Sequence, residues 1–280
     1  MIRRTVPQKT ISKESTLSGV GLHTGKNVIL TFKPAPSNTG LVFIREDIDG
    51  DNSIEANIKY ISNTDRGTNL DNGSFRIETS EHVLAALTGL DIDNCYICID
   101  GTEVPIMDGS SKFFIEALEE ASIVEQNALR EEFFPTETIS YLCEETGSKI
   151  SILPDENYKV KTKVDYKTKV LGEQEAFINN INEFKNEISS ARTFSFLHEL
   201  EMLLENGLIK GGDLNNAIVY VDKPLAESNM DILKKAFKKN IISVTPNGIL
   251  DNLNLHYPNE AARHKLLDVI GDLALIGMKI

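Results

Sequence analysis

Apolar residues recur along this chain with two periods, and the switch between them marks the predicted elements. From Thr10 to Pro34, polar and apolar positions alternate around Gly19-Val20-Gly21-Leu22-His23-Thr24-Gly25, with Val28-Ile29-Leu30-Thr31-Phe32 beyond it. That pattern predicts a hairpin. Pro34 to Gly40 reads as a loop and Leu41-Val42-Phe43-Ile44 as the next strand. Asp47 to Asp71 is polar, anchored by Ile54, Ile58, Tyr60 and Ile61, and supports only short strands and loops. The period then becomes helical. Thr79 or Ser80 can cap a helix that runs to Gly89 with Val83, Leu84, Ala86 and Leu87 as its apolar body. Cys95 to Ile99 is a strand, Val104 to Ser110 a loop, and Ser111 to about Ala121 a helix.

Glu125 to Phe134 is polar and charged and precedes Pro135, which makes it the expected linker between domains 1–126 and 127–280. Strands return at Thr138 to Cys143, Lys149 to Leu153 and Tyr158 to Val164. A helix from Leu197 to Asn206, stopped by Gly207, leads through Leu208 to Asp213 into a strand at Ala217 to Val221. Lys234-Lys235-Ala236-Phe237-Lys238-Lys239 reads as a solvated helix face. The last helix holds Arg263-His264-Lys265-Leu266-Leu267-Asp268-Val269-Ile270-Gly271-Asp272, with Asn259 as its N-cap. Leu267, Ile270, Leu273, Ala274 and Gly277 make its apolar stripe. His264, Asp268 and Asp272 follow at four-residue steps along another face.

The chain has 280 residues, 41% hydrophobic and 25% charged, which suits one large globular domain or two ordinary ones. A formal net charge of -13 argues against a nucleic-acid partner or a broad anionic surface as ligand, because those need an extended basic face. The N-terminal residues lack the apolar run of a secretory signal, and no window approaches a membrane span, so a cytoplasmic protein is expected. Three cysteines fit a reducing compartment. Cys95 and Cys98 form a C-x-x-C, yet on a strand they point to opposite faces, so they read as buried structural thiols.

His264 and Asp268, one helical turn apart, are spaced as metal ligands, but a catalytic zinc usually keeps three protein ligands. The third must come from elsewhere. Glu81 and His82 open the earlier helix, whose dipole favours an ionised Glu81 and a neutral His82, the forms a base and a ligand need. The plainer reading of that pair is helix capping. His23, in a turn, reads as structural.

Together these segments resemble the zinc-dependent UDP-3-O-acyl-N-acetylglucosamine deacetylases of lipid A and lipopolysaccharide biosynthesis. Five motifs stand in family order: Gly19 to Gly25, Thr79-Ser80-Glu81-His82, Ile106-Met107-Asp108-Gly109-Ser110, Ser190-Ala191-Arg192-Thr193-Phe194, and Arg263 to Asp272. The resemblance implies an α+β, two-domain sandwich, each domain β-α-α-β with helices packed between two outer sheets. It implies a Zn2+ ion held by His82, His264 and Asp268, with Glu81 as general base. Thr193 would stabilise the oxyanion and Lys265 would add positive charge near the substrate. Phe194 and Lys149 would contact the UDP moiety, and an insert at about 196–221 would pass the acyl chain. The implied partners are a UDP-linked acylated amino sugar, transient contact with the inner membrane, and a fused or adjacent hydroxyacyl-dehydratase domain. Family members continue into a Gly-His-Ala-x-Asn motif, whose His acts as general acid beside the Asp matched here by Asp272. This chain stops at Ile280, and His23, His198 and His256 do not match that motif. The expectation is a second domain incomplete at its C-terminus and an Asp272 without a partner. The alternative is a noncatalytic zinc- or ligand-binding fragment.

Overall fold

The computed structural model describes residues 1–64, 66–205, 210–223, 233–234, 237, 240–251 and 253–280. Strand Asn27–Pro34 turns Val28, Leu30 and Phe32 inward, as its alternation predicts. It pairs antiparallel with Ser15–Val20, so the predicted hairpin forms, and on its other side with Cys95–Ile99. Leu41–Arg45 joins Cys95–Ile99 in parallel and Ser53–Glu55 closes a five-stranded sheet.

Five α-helices are described: α1 (Glu81–Gly89), α2 (Lys112–Glu120), α3 (Phe184–Glu187), α4 (Leu197–Glu205) and α5 (Glu260–Leu273). Every residue of α1 is buried, because it packs on α2 and, on its far side, on α5. Helix α5 in turn lies on the antiparallel hairpin Val160–Asp165 and Glu173–Ile178. One core therefore runs from Leu30 and Phe43 in the five-stranded sheet, through Leu84 and Leu87 of α1 and Leu266, Leu267 and Ile270 of α5, to Ala176 and Ile178. The fold is mixed α+β, with the two key helices face to face between strand layers. Phe194–Phe196 pairs in parallel with Ile218–Tyr220, and α4 lies between them in sequence. Leu197, Leu200, Leu214, Val219 and Phe237 belong to a separate small core. Among the described residues, no helix is long and apolar enough to cross a membrane.

The expected linker Glu125 to Phe134 is a strand. Ile123–Phe133 pairs antiparallel with Ile2–Ile11 in a two-stranded sheet, with Glu125 and Glu131 exposed and Arg130 buried. The strand Glu173–Ile178 went unpredicted because its run is short, with Phe177 outward between Ala176 and Ile178. Ser80 and Asn259 sit at the N-cap positions but make no side-chain cap bond. Ser80 Oγ donates to Thr68 O, and Asn259 instead binds Glu175 O and Arg263. Gly277 lies outside the apolar stripe, as the left-handed cap (φ 81°) of a short turn after α5. Of the predicted α4 terminus and the loop after it, Asn206, Gly207, Leu208 and Ile209 lie outside the described residues, as do Lys235, Ala236, Lys238 and Lys239 of the basic cluster. Cys95 and Cys98 are buried, and burial pushes their thiols up to about 12 and about 11, so they are inert.

A charge network ties the two-stranded sheet to the residues that follow α1. Arg130 binds Asp91 at 2.7 Å and Asp93 at 2.6 Å, and Lys9 and Lys279 also reach Asp91. Burial alone would raise the Asp91 pKa, but Lys279 and Arg130 outweigh it and hold the carboxyl at about 2, against 3.8 unperturbed. A carboxyl depressed on folding stabilises the folded state above its unfolded pKa, and the contribution fades as pH falls from about 4 to about 2. Asp91→Asn is expected to cost roughly 2 kcal/mol at pH 7, with the deficit shrinking in acid. Urea titrations at pH 7 and pH 3 check both signs.

Candidate metal centre

Helices α1 and α5 approach so closely that a Cβ on Gly271 would lie 2.1 Å from Glu81 O. The contact brings the first turn of α1 against the C-terminal half of α5, and with it His82 against His264 and Asp268. The two imidazoles meet edge to face with centroids 4.9 Å apart. One ligand atom from each of His82, His264 and Asp268 fits within 4.8 Å of the others. Gly271→Ala is expected to lower stability by about 1–3 kcal/mol and to weaken metal binding by separating the helices. Thermal melts and metal titration of the variant check this.

The protonation of the cluster follows from its partners. His264 Nδ1 lies 3.0 Å from Ala191 O, a carbonyl that can only accept, so Nδ1 carries the proton and the Nε2 lone pair is free. That lone pair faces Asp268 Oδ1 at 3.3 Å, and His82 Nε2 lies 3.7 Å from the same oxygen. Burial pushes His82 down to about 3 and lowers His264, so both rings are neutral. Burial alone would raise Asp268, but with both rings neutral the Lys265 ammonium, whose Nζ donates to Oδ2 at 2.9 Å, holds it ionised. Asp268 Oδ1 is buried and has no hydrogen-bond partner among the described residues. An imidazole lone pair pointed at an unpartnered carboxylate oxygen is repulsive unless a cation sits between them. The donor set of two nitrogens and one oxygen suits zinc and leaves a fourth position open.

Glu81 stands beside this cluster. Its Oε2 accepts the Thr68 N–H at 2.8 Å. Burial, followed by the charge of Asp268, pushes its carboxyl up to about 8. This reverses the expectation that the α1 dipole keeps Glu81 ionised: desolvation and a like charge outweigh the backbone donors at the helix start. Neutral His82 is as expected.

All nine residues named from the sequence line one cavity of about 1550 Å³: Glu81, His82, Lys149, Thr193, Phe194, His264, Lys265, Asp268 and Asp272. Thr193 is set by its N–H donating to Gly109 O at 2.7 Å and its carbonyl accepting from Ile218. Gly109 (φ 86°) is required there, since a Cβ would fall 2.1 Å from Asn216 O. Lys265 faces the Phe194 ring with Nζ 5.7 Å from its centroid. Lys149 belongs to the strand Lys149–Ile152 on another wall. His23, read as structural, donates its backbone N–H to Glu103 and turns its ring toward Arg66 O at the cavity edge.

Asp272, for which the sequence offers no acid His, is engaged by Thr68. The Thr68 hydroxyl donates to Asp272 Oδ1 at 2.6 Å, and burial raises the Asp272 carboxyl to about 6. Thr68 thus touches both Glu81 and Asp272, and neither it nor the Ala191 carbonyl carries a sequence signal. His198 and His256 lie elsewhere, on Asp222 and on Ser190 O.

A profile of UDP-3-O-acyl N-acetylglycosamine deacetylases, the LpxC family, matches residues 8–232 and 226–280. The chain belongs to this family. A bifunctional enzyme LpxC/FabZ from Chlorobaculum tepidum is 44% identical over 278 residues, covering 98% of this chain and 60% of that protein. The corresponding bifunctional enzyme of Bacteroides thetaiotaomicron is 41% identical, covering 98% and 59%. A UDP-3-O-acyl-N-acetylglucosamine deacetylase of Myxococcus xanthus is 36% identical, covering 98% and 79%. The chain therefore spans about 60% of the length of its bifunctional relatives and more of the single-function one.

Proposed function

We propose that this chain is a zinc-dependent amide hydrolase that removes the N-acetyl group of a UDP-3-O-acyl-N-acetylglucosamine, releasing acetate, in lipid A biosynthesis. The observation that carries the reading is the unpartnered Asp268 Oδ1 between two neutral imidazoles, with the non-ligand carboxylate of Glu81 beside them. Family membership supplies the substrate class.

His82, His264 and Asp268 would hold the ion, which when bound supplies Lewis-acid polarisation of the amide carbonyl and acidifies the attacking water. Glu81, fixed by the Thr68 N–H, takes the water's proton, and its raised pKa suits it to hold that proton for a later donation. Thr193 lines the cavity from a backbone pinned on both sides, and its hydroxyl is assigned to the oxyanion. Lys265 holds Asp268 ionised and offers positive charge beside the Phe194 ring, an arrangement suited to an aromatic base carried on an anionic diphosphate. Lys149 would meet the same moiety from another wall. Asp272, held by Thr68, is assigned to orienting an acid. Leu200, Met202, Val219 and Phe237 line the cavity from the α4 side and offer the acyl chain an apolar path.

The reading extends to a cytoplasmic setting with transient membrane contact through an amphiphilic substrate. The names of the bifunctional relatives support a fused or adjacent dehydratase domain as partner. Acetate release from a UDP-3-O-acyl-N-acetylglucosamine, measured with the chain stripped of metal and then reloaded with zinc, tests the reading. No release by a fully loaded, folded sample would overturn it.

A further inference from the structure

The segment from Ser190 to Phe194 is tied to the start of α5 at two depths. Near the surface, Ser190 Oγ lies 2.9 Å from the Tyr257 hydroxyl, and Arg263 reaches the Glu187 carboxylate at 3.0 Å. Beneath them lies a buried ion pair. Glu260 is fully buried at the first position of α5, and Arg192 is 8% exposed. Arg192 donates to Glu260 Oε1 from its backbone N–H at 3.1 Å and from Nε at 2.8 Å, and its Nη2 donates to Oε2 at 3.2 Å and to Asn254 O at 2.9 Å. The His256 N–H donates to Oε2 at 2.6 Å. Glu260 thus accepts four hydrogen bonds, three of them from a single residue.

Both partners adjoin the metal centre. Glu260 precedes His264 by one helical turn, and Arg192 follows Ala191, whose carbonyl fixes the His264 tautomer. Arg192 also precedes Thr193. A buried ion pair adds little net stability compared with apolar groups of the same volume, and its more secure contribution is to fix one geometry. The rigid, forked contact of guanidinium, backbone N–H and carboxylate leaves the loop and the helix one register relative to each other.

We infer that Arg192 and Glu260 are the positioning pair of the metal centre, acting through Ala191 and His264. They hold the Ala191 carbonyl under His264 Nδ1, so that Nε2 keeps its lone pair aimed at Asp268 and His82. The inference rests on the metal-binding part of the proposed function and not on the substrate.

The test is cobalt(II) titration of the full chain, read by its visible spectrum, with kcat and KM measured alongside. The R192M/E260M double variant removes the pair without leaving an unpaired charge. It is expected to melt somewhat below the metal-free wild type, since the Arg192 and His256 N–H groups lose their acceptor, to bind cobalt at least about tenfold more weakly, and to show an altered spectrum. The kcat should fall while KM stays within about threefold. R192K, which keeps the charge but not the fork, should recover part of the affinity. Wild-type cobalt affinity and spectrum in the double variant would overturn the inference, even if its thermal midpoint fell. Should the double variant not fold, wild-type affinity in R192K overturns it and a loss of affinity supports it. A wild-type chain that binds cobalt but releases no acetate would defeat the proposed substrate and leave this measurement decisive.

Discussion

Glu81→Gln is expected to lower acetate release by about 10²–10⁴-fold, the usual worth of a positioned general base, while zinc stoichiometry stays near one per chain. The side chain is not in the ligand cluster, which consists of His82, His264 and Asp268. Its Oε2 is engaged by the Thr68 N–H, a bond that the Gln carbonyl can still accept, so the first turn of α1 should keep its shape and His82 its place. What the substitution removes is the ability to gain and lose a proton. Burial and the neighbouring Asp268 charge push the Glu81 carboxyl up to about 8, so the folded chain already favours the protonated form that would donate to a leaving amine. A bound cation would oppose the Asp268 contribution and lower that value toward the working range of a base. Steady-state acetate release and elemental analysis on the same preparation check the expectation. Residual activity within tenfold of wild type would show that another group takes the proton. Loss of zinc together with activity would show that Glu81 helps to hold the metal.

The parts of this site that are legible in the sequence are those whose signal is side-chain spacing. His264 and Asp268 stand one turn apart on a helix whose Leu266, Leu267 and Ile270 face the core, so spacing alone separates the ligand face from the buried face. Glu81 and His82 at the start of a helix with the apolar body Val83, Leu84, Ala86 and Leu87 are visible for the same reason. Contacts made by backbone atoms leave no such mark. The Ala191 carbonyl that sets the His264 tautomer, and the Thr68 amide and hydroxyl that engage Glu81 and Asp272, belong to residues whose type does not announce the contact. The protonation of Glu81 departs from expectation because a helix terminus contributes only about 0.3–1 kcal/mol, which is small beside burial next to a second carboxylate. The strand Ile123–Phe133 resembles a linker because its sheet has only two strands. With one partner, Ile2–Ile11, and solvent on much of its surface, it carries charge at positions that a central strand would fill with apolar residues. Gly271 stands out in the sequence only as part of a motif, and its need for a bare Cα is a property of the helix crossing.

Zinc is expected to stabilise the wild-type chain and to leave His264→Ala unaffected. A ligand that binds only the folded state contributes about 2.7 kcal/mol at a hundredfold excess over its dissociation constant. For a chain of 280 residues that is a rise of several degrees in the thermal midpoint, at about 2–4 °C for each kcal/mol. The metal-free wild type is handicapped by the geometry that makes the site: the His264 Nε2 lone pair faces Asp268 Oδ1 at 3.3 Å, and that oxygen has no hydrogen-bond partner among the described residues. Removing the imidazole relieves this repulsion but leaves a space beside Phe194 and frees the Ala191 carbonyl, so the metal-free variant should melt near or below the wild type. The added zinc is the informative difference, because His82 and Asp268 alone cannot complete a three-ligand site. Melting curves with chelator and with zinc, on wild type and variant, separate the two effects. A zinc-dependent rise of equal size in His264→Ala would place the ion elsewhere, and with it the assignment of His82 and Asp268 would fall.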